Sequence, residues 1–320
     1  MDISCAFPAN SAAVEAAVLA EELGYRRVWI YDSPALYHDV WVTLARIAER
    51  TERIGLGPGV LVPHLRHPMT QAAAIATLDE LAPGRLAVAL GAGFTGRLAM
   101  GQPMLSRRQF EGGVRQVMAL LQGEVVEVDG AATQMLHSEG FAPPRPIDVP
   151  ILVNAQGPRG QAFAREVADG ITVSFTPVAG FDWCAVLSTG TVLDPGESPT
   201  SERAFAATAP SLAVRYHGLA ARGQALDGLP GGTEWTASIE AVPEEERHLE
   251  IHRGHLVELS EHDRKALKPE EMSPAQLTGT PDQVRERLAR LEAGGATELM
   301  WQPMGPDIER ELRAFAAVVA

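Results

Sequence analysis

The chain has 320 residues, 46% of them hydrophobic, and a formal net charge of −14. That length suits one α/β barrel or two smaller domains. The charge argues against nucleic acid or an anionic membrane as partner, since either would repel it.

No apolar run approaches membrane-spanning length, and the first residues lack the basic and long apolar regions of a signal peptide. Cys5 and Cys184 make neither a disulfide framework nor a metal-ligand spacing. A cytoplasmic protein is the simplest expectation. Only Lys265 and Lys268 are lysines, so the candidates to meet an anionic cofactor are arginines that follow apparent strands: Arg66, Arg97, Arg107, Arg108 and Arg159.

In chain order, residues 3–7 read as a strand. Residues 12–23 follow as a helix that Asn10 or Ser11 caps and Gly24 closes. A second strand spans 27–31, and Asp39 caps a helix over 40–50. The third strand lies in the stretch from Arg53 to Pro68. Gly55, Gly57, Pro58 and Gly59 interrupt an otherwise apolar run, which predicts a bulge or a body pressed against the backbone. His67-Pro68 then starts a helix with proline in its first turn.

A fourth strand is expected over 85–91, ending in Gly91-Ala92-Gly93, and a helix over 106–121. Residues 125–130 belong to a small hairpin. The fifth, sixth and seventh strands fall at 150–155, 169–175 and 183–193, with a helix at 159–168. The helix at 281–292, the strand at 297–302 and the helix at 308–319 close the chain. Thr280, Pro281 and Asp282 form an ordinary helix start. Strand followed by helix about eight times predicts a single (β/α)8 barrel domain over residues 1–320. No Gly-x-Gly-x-x-Gly opens a first strand-to-helix turn, which lowers the doubly wound alternative. Residues 194–278 break the rhythm with a helix-like segment (202–222) and a charged, Gly- and Pro-rich excursion. They read as an insertion between strands 7 and 8 at the C-terminal face, a lid or pocket wall, with an oligomer contact as the other reading.

Three places can carry chemistry. Asp32 ends the second strand, where a carboxylate either orients a ligand or relays a proton, or else hydrogen-bonds its own loop. Gln156-Gly157-Pro158-Arg159 joins a strand to a helix whose exposed N–H groups suit a phosphate. His248, His252 and His255 are spaced four and three apart, so a helix would place them on one face. Gly254 interrupts that helix, so no metal is assigned. Pocket lining or proton donation is the functional reading of these histidines, against a surface cluster. Trp41 and Trp235 are candidate pocket walls.

Taken as an ordered set, several segments resemble the bacterial luciferase-like superfamily. They run from Leu23-Gly24-Tyr25 to Tyr31-Asp32, through Thr51-Glu52-Arg53-Ile54-Gly55-Leu56-Gly57, Leu65-Arg66-His67-Pro68, Thr77-Leu78-Asp79-Glu80-Leu81, Pro83-Gly84-Arg85 and Leu90-Gly91-Ala92-Gly93, to Val149-Pro150-Ile151-Leu152, Ala168-Asp169-Gly170 and Gly279-Thr280-Pro281. The resemblance implies a flavin-like ring at the barrel mouth, resting on a non-proline cis peptide at Gly59-Val60. Ser33, Gly91, Gly93 and Asn154 would stand around it, and the phosphate site would fall on Gln156, Gly157, Pro158 and Arg159. The chain looks most like the branch resembling methylene-tetrahydromethanopterin reductase, which implies an oxidoreductase moving a hydride between the deazaflavin coenzyme F420 and a small organic substrate. Asp32 would be the first candidate for the proton, His252 or His255 the second. Ser33 stands where many relatives carry histidine, and the methanopterin substrate is not carried over. An FMN-dependent monooxygenase using reduced flavin and oxygen is the alternative, and a non-catalytic flavin-binding protein a third reading. The resemblance further implies a homodimer and a flavin or F420 reductase as electron source.

Overall fold

The computed structural model describes residues 1–271 and 275–319. Eight parallel strands close into a barrel. They are β1 (Asp2–Phe7), β2 (Arg27–Ile30), β3 (Gly55–Leu61), β4 (Val88–Leu90) and, past an antiparallel hairpin of β5 (Val126–Val128) and β6 (Ala131–Thr133), β7 (Ile151–Asn154), β8 (Gly170–Ser174), β9 (Cys184–Thr189) and β10 (Glu298–Gln302). Pairing of β1 with both β2 and β10 closes the ring. The expected (β/α)8 barrel is the observed one.

Helix starts follow the sequence signals. Asn10 accepts from the Ala13 N–H, and Asp39 from those of Trp41 and Val42. Ser106 and Thr280 each form a reciprocal capping box, with Gln109 and Gln283. Three expectations shift. Strand 4 is shorter than 85–91, with Leu86 reaching Leu56 as an isolated bridge. The helix expected over 202–222 is two helices, Glu202–Ala206 and Ala209–Ala220, because Pro210 cannot continue a helix from upstream. Between β8 and β9, residues 175–183 form a loop instead of a crossover helix.

Two apolar layers hold the barrel. Outward residues such as Val28, Ile30, Leu56 and Val186 pack under the surrounding helices. Inside, Trp29 is fully buried among Ala6, Ala87, Ala89, Ala185 and Met300. At the N-terminal end, Glu298 accepts from the indole N–H groups of Trp29 and Trp183, each at 2.8 Å, while Arg27 lies over both rings.

Trp29 explains the glycines of β3. A Cβ on Gly57 would sit 1.8 Å from the Ala87 carbonyl oxygen, and one on Gly59 would lie 2.9 Å from Trp29 and 3.0 Å from Met300. These glycines make room for neighbouring main chain and for a large indole inside the barrel. Beyond them the register with β4 shifts between Gly59 and Leu61, the irregularity the sequence predicts, and Gly59-Val60 is a cis peptide.

Between β9 and β10 the chain adds helices at Gly232–Glu240, Arg247–Ile251 and Glu261–Ala266 to the two named above. They enclose a small core of their own around Tyr216, Trp235, Ile239 and Leu267. Residues 272–274 of the expected 194–278 insertion lie outside the described residues.

Candidate active site

At the C-terminal mouth of the barrel lies a cavity of about 210 Å³. Tyr31, Asp32 and Ser33 enter it from the end of β2, Gly59, Val60 and Val62 from β3, and residues 92–96 from the loop after β4. Asn154, Thr172, Ser174, Leu187 and Met300 complete the barrel side, and Leu256 closes it from the segment between β9 and β10. Strand ends carry side chains to this face whatever the helices do, which is why the mouth of such a barrel collects functional groups.

Asp32 is 3% exposed. Arg66 donates Nη1–H to both of its carboxylate oxygens, at 2.8 and 2.9 Å, and the Val62 N–H reaches Oδ2 at 3.3 Å. The other end of the same guanidinium holds Asp39 at 2.7 Å. Burial raises the Asp32 carboxyl above its ordinary range, with Arg66 pulling the other way. Asp39 is half-open and ends below its ordinary range, because the Arg66 and backbone donors outweigh its partial burial. Of the five candidate arginines, Arg66 is held to the mouth through its pairing with Asp32. Arg97 instead donates to the Pro103 carbonyl, and Arg107, Arg108 and Arg159 are exposed.

Val60 stands over Gly91: a Cβ there would come within 2.5 Å of the Val60 Cγ2. Gly91 therefore supports the ledge from below without lining the cavity. Gly93 does line it and takes the left-handed conformation (φ 81°) that glycine tolerates. Asn154 is fixed by its amide, which donates to the Thr172 carbonyl and hydroxyl at 3.1 Å. Gln156, Gly157, Pro158 and Arg159 are exposed at the start of helix Pro158–Val167, one residue past the cavity-lining strand end. Gly157 is the N-cap and no side chain caps the helix start, which leaves its first N–H groups open.

The histidines separate. His248 packs beside Gly101 and is not part of the cluster that the other two join. His252 and His255 are buried and meet a histidine from helix Ala209–Ala220, His217, which the spacing could not reveal. His255 touches the cavity only through Thr95, whose Oγ1 is 3.2 Å from its Nε2. Its carbonyl accepts from the Tyr37 hydroxyl, and the next carbonyl, Leu256, accepts from Gln302. Burial and the neighbouring imidazoles depress both histidines, His252 to about 4. Trp235 is no mouth wall, since it is buried in the separate small core with its indole on Asp263; Trp41 does not line the cavity either.

The luciferase-like monooxygenase family model matches residues 7–298. Over 178 residues, about half of each chain, the sequence is 34% identical to a 5,10-methylenetetrahydromethanopterin reductase of Methanolobus tindarius. It is 26% identical to the enzyme of the same name from Archaeoglobus fulgidus over 92% of this chain and 90% of that one. Among solved structures, an F420-dependent secondary alcohol dehydrogenase in complex with an F420-acetone adduct superposes over 99% of this chain and 97% of that one. Its TM-score is 0.67 at 18% identity, a likeness of fold. No helix among the described residues is long and apolar enough to cross a membrane.

Proposed function

Since the chain belongs to the luciferase-like monooxygenase family, we propose that it is an oxidoreductase of the F420-dependent kind, moving a hydride between that coenzyme and a small organic molecule. Relatives of this chain carry the names 5,10-methylenetetrahydromethanopterin reductase and F420-dependent glucose-6-phosphate dehydrogenase. One observation of the molecule supports the reading most: a cavity at the barrel mouth whose floor is the displaced Gly59–Val60 segment. At about 210 Å³ it is smaller than the roughly 300 Å³ of a complete ligand site, and so suits the ring portion of a longer molecule.

When bound, the coenzyme supplies a two-electron hydride carrier. The rest is work for this chain's side chains. Val60, propped on Gly91, supports one face of the ring. Gly93 and Asn154 border it, and Ser33 offers a hydroxyl at its edge. The open N–H groups of Gly157 and Arg159, with the helix dipole behind them, hold an anionic tail. Asp32 holds or passes the proton that accompanies hydride transfer, and Arg66 fixes which way its oxygens point. His255 acts through Thr95, orienting a hydroxyl at the cavity wall, whereas His252 stays behind it. Residues 194–278 serve as the lid, since Leu256 is the part of them that faces the ring site. The remaining parts of the reading are a small-molecule substrate, a homodimer and a partner that recycles the coenzyme.

The test is a parallel fluorescence titration of the purified chain with F420, FMN and FAD. F420 should bind at least tenfold more tightly than FMN. The reverse preference would assign the mouth to a flavin monooxygenase and defeat this reading, and no binding of any of them would remove the cofactor site.

A further inference from the structure

Behind the mouth, His217, His252 and His255 are each no more than 2% exposed. One ring nitrogen from each lies within 4.8 Å of the others. We propose that these three imidazoles form a binding site for a divalent cation of the zinc class, distinct from the coenzyme cavity.

The hydrogen bonds around them argue for it. Asp263 accepts from His217 Nε2 at 3.1 Å, and it is itself anchored by the Trp235 indole at 2.8 Å and by the Ser260 N–H and hydroxyl. A carboxylate on the far nitrogen fixes the tautomer and leaves His217 Nδ1 with a bare lone pair aimed at the cluster, the arrangement found behind metal-bound histidines. That Nδ1 faces His255 Nδ1 at 3.0 Å. If His255 gives its Nε2 proton to Thr95, two bare lone pairs confront each other, and only a proton or a cation between them makes the contact favourable. His252 adds a second sign, because its Nδ1 is buried with no hydrogen-bond partner among the described residues. Buried polar atoms are rarely left that way, and ion binding is one of the standard reasons.

The metal class follows from the donors. Three neutral imidazoles suit zinc and its borderline neighbours and offer nothing to calcium or magnesium, which take oxygen. In a tetrahedral site, zinc–nitrogen bonds of roughly 2.0–2.1 Å hold two donors about 3.3–3.4 Å apart, so a pair as wide as 4.8 Å must close by about 1.4 Å on binding. Three ligands leave one position for water. Because His217 comes from one helix and His252 and His255 from a later segment, the ion would tie together two parts of the chain over the mouth.

The experiment uses the full chain, free of any histidine tag and stripped with chelator, titrated with Zn²⁺ by calorimetry and with Co²⁺ by visible absorption. One Zn²⁺ per chain should bind and raise Tm, and Co²⁺ should show tetrahedral d–d bands. Because His252 Nδ1 has no hydrogen-bond partner among the described residues, H252Q should keep the fold yet weaken binding at least tenfold. D263N should weaken it roughly 10- to 100-fold, and H248Q should change nothing. A wild-type chain that binds no Zn²⁺, or an H252Q chain that binds it as well as wild type, overturns the proposal. An F420 titration run beside it keeps the two readings apart, since either site can fail without the other.

Discussion

At the scale of single residues, the arrangement that most constrains the mouth is Asp32–Arg66–Asp39, where one guanidinium serves two carboxylates of unequal exposure. Removing the partner of a buried charge costs more than the pair contributes. R66M should therefore lower stability by about 3 kcal/mol, the low end for a buried pair because Arg66 is 16% exposed. D32N, which leaves Arg66 on Asp39, should cost less. Urea denaturation at neutral pH measures both, and an R66M chain as stable as wild type would contradict the assignment. Burial already tilts Asp32 towards its protonated form, so the R66M deficit should shrink as pH falls. Asp32 could be read from the sequence because it ends a short apolar run, and strand ends meet at one face. His217 and Asp263 could not, since they join His255 and His217 across sequence separations of 38 and 46 residues. Spacing along one helix pointed to His248 as well, but that side chain packs beside Gly101 instead.

At the scale of elements, β3 shows how one pattern can arise from two causes. Its glycines mark close approach, as read, but at Gly57 and Gly59 the approaching groups are Ala87 main chain and Trp29. A larger residue at Gly59 would thus disturb the barrel interior before it touched a bound ring. G59A should lose about 1–3 kcal/mol by overpacking. G91A, whose new methyl would push Val60, should weaken F420 binding tenfold or more with a smaller fall in Tm. Equal effects of the two changes on binding and on melting would show that β3 does not divide its labour this way. Helix starts at Asn10, Asp39 and Thr280 were legible because caps are local chemistry that acts within three residues, whereas Ser106 was read as the first helical residue and is the cap. The loop at 175–183 was legible in part, because its nine residues are fewer than the dozen or more that a parallel crossover usually takes.

At the scale of the whole molecule, the segment between β9 and β10 is held at two ends. Its root is a network in which Arg203 pairs with Glu197 and Glu311, and Arg310 with Glu311 and Asp194. Its far side is pinned at the mouth by Tyr37 and Gln302 on successive carbonyls. Arg203 holds the Glu197 carboxyl down to about 2 from 4.5. A carboxylate depressed in the folded state stabilises fully above its unfolded value and loses that contribution as pH falls through the folded one. Stability should therefore drop between about pH 4.5 and 2, and E197Q should flatten that part of the profile. A Tm profile for E197Q that parallels wild type across this window would remove Glu197 from the root. The family likeness was legible because its short segments keep their order along the barrel. What the intervening residues assemble, a second core with a buried histidine cluster, depends on contacts that no local pattern encodes.

The central claim is that a flavin-like ring lies at the barrel mouth on the Gly59–Val60 segment. A crystal structure of the chain grown with F420 tests it most directly. Density for the fused rings should fill the cavity between Val60, Asn154 and Leu256, with the phosphate near the N–H groups of Gly157 and Arg159. Rings bound elsewhere, or a mouth closed by its own side chains while F420 saturates the protein, would contradict it.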